Sequence, residues 1–129
     1  MAAKRSKSGA PPAAPGSRPS FSDHTLRIRA LNDALRRRGI GGRLMLTAGV
    51  TALPANRQAS LFAQIRSFDD FTPENDPYGE HDFGRIDDGG ERFFWKIDYY
   101  DRHLSGHTPD PADPEQTKRV LTIMLADEY

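Results

Sequence analysis

The sequence predicts a small α+β domain, ordered helix, strand, helix, β-hairpin, helix, behind a disordered basic N-terminal tail. Three observations carry this expectation. Apolar residues recur at helical spacing in separate segments. Phe83 to Ile86 and Arg92 to Tyr100 flank Asp87-Asp88-Gly89-Gly90, which reads as a tight hairpin. The chain of 129 residues can build one core and is too short for two.

Residues 1–20 are Ala, Pro, Gly and Ser with four cations, and Met1 is the single large apolar residue. Such a stretch cannot bury enough apolar surface to offset the entropy of ordering it, so a disordered tail is expected there. The hydrophobic fraction of 36% is in keeping with a partly unfolded chain. Lys4-Arg5-Ser6-Lys7 suits weak contact with nucleic acid, or plain solvation.

The single domain is expected over residues 21–129. Ser22 is a good N-cap, and Phe21 and Leu26 hold the two positions of a hydrophobic staple. Leu26, Ala30, Leu31, Ala34 and Leu35 form an apolar stripe. Arg36-Arg37-Arg38 occupy the last turn, where the helix dipole favours cations, and Gly39 can close the helix. Those arginines also invite a nucleic-acid reading. After the Gly41-Gly42 turn, Arg43 to Thr47 reads as a strand, and Pro54 suits the first turn of a second helix over about Asn56 to Phe68. Its core face holds Leu61, Phe62, Ile65 and Phe68. Asp69 to His81 is polar, carries two prolines and has no periodicity, so it is a loop.

With Gly89-Gly90 as the two-residue turn, Ile86 pairs with Phe93 and Gly84 lies opposite Trp95. Phe93, Trp95, Ile97 and Tyr99 then face the core. Phe94, Lys96, Asp98 and Tyr100 form a polar yet aromatic outer face. Asp113-Pro114-Glu115-Gln116 has the residues of a helix start, with Val120, Leu121, Met124 and Leu125 as its buried face. An extended reading of residues 120–126 stays open, because Val120, Thr122 and Ile123 favour strands.

Composition excludes several chemistries. No cysteine is present, so there is no disulfide framework, thiolate metal site or cysteine nucleophile. No apolar run approaches the roughly 18 residues of a membrane helix, and no secretory core is seen, so a cytoplasmic location is expected. Neither a phosphate-binding glycine loop nor a nucleophile elbow occurs, and no cofactor is indicated. The net charge of zero conceals a division. Residues 1–43 carry ten basic and two acidic residues, and the remainder carries eight and sixteen. Such asymmetry speaks of partners, or of attraction within the molecule.

The candidate site is Glu80, His81 and Asp82 before the hairpin, with Lys96, Asp98, Tyr100 and Asp101 on or after its second strand. Carboxylates around His81 would tune its pKa, and carboxylates with one imidazole suit a divalent ion. The order Lys96-Ile97-Asp98 reverses the acid-then-lysine order common in metal-dependent nucleases. An ordinary ion-pair network explains the same residues. Aromatic alternation on the strand also suggests RNA stacking, but Asp98 and Asp101 would repel a phosphate backbone.

The segments Leu44 to Val50, Phe68 to Thr72 with Asn75-Asp76-Pro77, Glu80 to Gly84, Trp95 to Asp101, Asp110 to Pro114 and Arg119 to Ala126 resemble the bacterial family of domain of unknown function 3768. The resemblance spans roughly residues 26–129. It implies a small soluble alphaproteobacterial protein, often encoded among plasmid or mobile-element genes, and supplies no site residue. The expectation is therefore a non-enzymatic binding or accessory protein with a protein or nucleic-acid partner and no membrane. The alternatives are a metal-dependent hydrolase or nuclease on the Glu80-His81-Asp82/Asp98 cluster, and an acidic mimic that occupies a DNA-binding partner.

Overall fold

The computed structural model describes residues 20–129; the expected tail lies outside them except for Ser20. Helix α1 (Asp23–Arg38) begins where the Ser22 hydroxyl accepts the Thr25 amide at 3.1 Å. It ends at Gly39, left-handed at φ 70°, so that the amides of Gly39 and Ile40 return to the carbonyls of Leu35 and Ala34. Both caps match the sequence reading. The buried face does not: it runs Ile28, Asn32, Leu35, Arg36, while Leu26 and Ala30 are exposed. The helix is rotated relative to its apolar stripe because two polar residues, Asn32 and Arg36, find partners in the interior.

Strand β1 (Gly42–Leu46) follows, then a four-residue helix α2 (Ala48–Thr51) that the sequence reading lacked. Helix α3 (Ala55–Ser67) buries Leu61 and Ile65, with Phe62 and Phe68 packed beside the core. The hairpin is β2 (Phe83–Asp88) and β3 (Glu91–Tyr100). Its register pairs Ile86 with Phe93 and Gly84 with Trp95, as the Gly89-Gly90 turn dictates, and both glycines have positive φ.

The last expected helix is instead strand β4 (Lys118–Leu125), and the expected element order is corrected there. The helix-start chemistry at Asp113 is present but closes a single turn. Asp113 accepts the amide of Glu115 and the side-chain amide of Gln116. The β-branched residues beyond then enter the slot between β1 and β3, where each backbone group finds a partner.

The sheet has four strands in the order β1-β4-β3-β2, with β1 parallel to β4 and the other pairs antiparallel. One face packs against the helices. Leu35, Val50, Leu61 and Ile65 meet Ile86, Phe93, Trp95, Ile97, Leu121 and Ile123 there. A large apolar side chain withdrawn fully from water contributes about 1.5–3 kcal/mol, so this single layer contact holds the fold. Among the described residues no helix covers the other face. The C-terminal turn (Ala126–Glu128) closes on α2, where Glu128 accepts from the Thr47 hydroxyl and the Gly49 amide at 2.6 and 2.9 Å.

Candidate functional site

The residues expected to form one site lie in two places, on either side of the sheet edge. Glu80, His81 and Asp82 lead into β2 and belong to a polar network on the helix side. Lys96, Asp98 and Tyr100 alternate with core residues of β3 and so belong to the helix-free face.

The network begins at Arg36, whose side chain is fully buried. Its Nη1 donates to the carbonyls of Ile65 and Phe68 at 2.9 and 3.0 Å, which closes the C-terminal end of α3. Its Nη2 donates to Asp33 at 3.0 Å, and the guanidinium lies over Phe71 and Trp95. Asp33 also accepts from His81 Nδ1 at 3.0 Å. Burial alone would raise the Asp33 carboxyl, but the bond from His81 and the pairing with Arg36 outweigh it and hold it below the usual range. His81 stacks flat on Phe71, with ring centroids 3.7 Å apart. Its other nitrogen stands 3.7 Å from Asp76, whose carboxylate also accepts the His81 amide.

A second branch runs through Asn32, which has no exposed surface. Its oxygen accepts from Arg119 Nε at 2.9 Å, and its nitrogen donates to the Glu80 carbonyl and the Tyr99 hydroxyl. The Tyr99 hydroxyl in turn donates to Glu80 at 2.7 Å, and Arg119 also donates to the Pro111 carbonyl. Burial and the bond to Glu80 push the Tyr99 hydroxyl up. Among the described residues Asp82 carries the one strongly shifted carboxyl. Burial raises it, the charges of Glu80, Asp76 and Asp98 add to that, and it titrates at about 6. Its carbonyl accepts the Ile97 amide at 2.9 Å, the level expected from the register.

On the helix-free face Lys96 and Asp98 form an ion pair at 2.9 Å, and the hydrogen bond to Asp98 raises the lysine. To one side, Phe83, Phe94 and Tyr129 form a ring cluster with centroids 5.2–5.9 Å apart. To the other, an open groove of about 590 Å³ is lined by Arg43, Met45, Tyr100, Leu104, Lys118 and Val120 among others. Asp101 closes the β3 end: amides of Ser105 and His103 and the Ser105 hydroxyl donate to it and hold its carboxyl low. Among the described residues no three His, Asp or Glu side chains converge as a metal ion needs. No helix among them is long and apolar enough to cross a membrane.

The sequence reading missed Asp33, Asn32, Arg36 and Arg119 as partners of this site. Ile28-Asn32-Leu35-Arg36 follows helical spacing and carried the signal, hidden because two of the four residues are polar.

Residues 46–128 match the model of the family described as Protein of unknown function (DUF3768), and the chain belongs to that family. No curated protein and no solved structure matches the chain.

Proposed function

We propose that this member of the family is a cytoplasmic, non-enzymatic binding or accessory protein, serving a plasmid or mobile element, whose contact surface is the helix-free face of the sheet. One observation carries the reading. The helices cover a single face, and the opposite face presents the Lys96–Asp98 pair between an aromatic cluster and an open groove. Such a surface stands on a rigid scaffold and mixes aromatic, aliphatic and charged groups, the composition that favours recognition over chemistry. Lys96, Asp98 and Tyr100 are its contact residues. Glu80, His81 and Asp82 position the hairpin from behind through their bonds to α1 and β3, and Asp101 shapes the adjoining turn.

The test is affinity capture from a lysate of the encoding cell, with the triple variant Lys96→Ala/Asp98→Ala/Tyr100→Ala run beside the natural chain. The contact reading expects a partner held by the natural chain and released by the variant at an unchanged melting temperature. Equal capture by both, or an empty capture by the natural chain, would count against it.

A further inference from the structure

We propose that the free edge of β1 is a strand-addition site, which takes an extended acidic segment of a partner protein as a fifth strand. This deepens the binding reading above and rests on it, since one wall of the edge is the groove of the helix-free face.

β1 pairs with β4 alone, and four of its five residues are exposed. In a parallel ladder, alternate residues address alternate neighbours. The Thr47 amide donates to the Ile123 carbonyl of β4 at 3.1 Å. By alternation Met45 and Arg43 also turn toward β4, and Gly42, Leu44 and Leu46 present N–H and C=O groups outward. Edges of this kind are normally blunted by proline, by a bulge, by a covering segment or by charge, and the one charged residue of β1 is Arg43. β1 contains no proline, no described element covers it, and Leu44 and Met45 are 53% and 52% exposed.

A groove lies on each side of this edge. The first, on the helix-free face, is the one lined by Met45, Tyr100 and Val120. The second, of about 290 Å³, lies between the end of α1, β1 and α3, and is lined by Leu35, Leu44 and Phe62. An added strand would send successive side chains alternately into the two grooves. The charge is one-sided. Arg43 and Lys118 line the first groove, and Arg37, Arg38 and Arg66 line the second, with no Asp or Glu lining either. Among the described residues none of these five cations forms an ion pair.

An acidic segment with alternate apolar residues therefore matches the backbone, the side-chain slots and the charge together. A second copy would bring Arg43 and its neighbours against their own like charges. Nucleic acid would meet the cations but leave the outward peptide groups, Leu44 and Met45 unmatched. The tail over residues 1–20 is itself cationic and proline-bearing.

The probe is a fluorescein-labelled peptide of alternating Glu or Asp with Val or Ile, with a version carrying Lys at the acidic positions as control. Fluorescence anisotropy on the full chain should show saturable binding of the acidic peptide, weakened by salt, and none of the Lys version. Arg43→Glu/Lys118→Glu should weaken binding by about tenfold or more. Leu44→Pro removes one outward N–H without touching the β4 ladder and should also cost about tenfold. Should Leu44→Pro fail to fold, hydrogen exchange on the natural chain decides: bound peptide should slow the Leu44 and Leu46 amides. Absence of binding to the folded chain overturns the proposal. So does exchange protection that spares β1, a dimer in sedimentation that hides the edge, or an oligonucleotide that outcompetes the peptide. The contact reading is separable. Peptide binding undisturbed by Lys96→Ala/Asp98→Ala, together with partner capture equally undisturbed, keeps the edge and removes the central face.

Discussion

His81 sits at φ 56°, a left-handed conformation that a non-glycine residue adopts only where its surroundings hold it. The holders are visible: Asp33 on one ring nitrogen, Asp76 on the amide, Phe71 on the ring face. The sequence offered Glu80-His81-Asp82 as part of a candidate site, and the fold ties these residues to α1 and β3 on the helix side. What it could not offer was Asp33, 48 residues earlier, as the partner of His81, or the burial of Arg36 behind it, because both arise only once α1 docks. Two predictions belong here. Arg36→Met leaves the Ile65 and Phe68 carbonyls and the Asp33 carboxylate short of a donor, and should cost about 2–4 kcal/mol in denaturant unfolding. A loss within about 0.5 kcal/mol would show that the guanidinium is not a structural link. Asp82 titrates at about 6 in the fold, against roughly 3.9 in an unfolded chain. Its neutral form therefore favours the fold: that contribution is full below about pH 4 and is lost as pH rises through 6. Asp82→Asn removes the loss. Melting at pH 7 should show a gain on the order of 1–2 kcal/mol, discounted for its partial exposure, which fades toward pH 4. A gain that does not vary with pH would contradict this cause.

At the scale of elements, the ends of α1 and the whole hairpin were legible because local chemistry specifies them. Ser22 and Gly39 cap the helix, and Gly89-Gly90 set a register that fixes which β3 residues face inward. The last element was not legible in the same way. Asp113 to Gln116 carry true capping bonds, yet their outcome depends on a vacancy between β1 and β3 that no local signal reports. Val120, Thr122 and Ile123 had voted for a strand, and tertiary pairing gave them the decision. β4 is thus one of the two interior strands, with Thr122 paired to Met45 on one side and Lys96 on the other. Thr122→Pro should cost about 3 kcal/mol or more and leave no cooperative unfolding transition at 37 °C. A folded, cooperatively melting Thr122→Pro chain would mean that β4 does not bind the sheet together. Gly84→Ala should be costly for a different reason, because the added methyl would meet the Trp95 indole; a loss of about 1–3 kcal/mol is expected.

Across the whole molecule, the charge division seen along the chain becomes a division across the sheet. Arg37, Arg38 and Arg43 gather at the β1 edge, and Asp76, Glu80, Asp82 and Asp98 at the start of β2 and the adjoining part of β3. The sequence disclosed the imbalance, and an outer strand face of mixed polar and aromatic residues, but not that the two poles lie toward opposite edges of the sheet, nor that no described helix covers the outer face. That surface is the centre of the functional account, and photo-crosslinking tests it most directly. A benzophenone amino acid placed at Lys96 or Tyr100 should trap a partner in the encoding cell. The same group at Ala59, exposed on α3 behind the sheet, should trap nothing of the same mass. Equal trapping from both faces, or trapping from Ala59 alone, would contradict the assignment of the helix-free face as the contact surface.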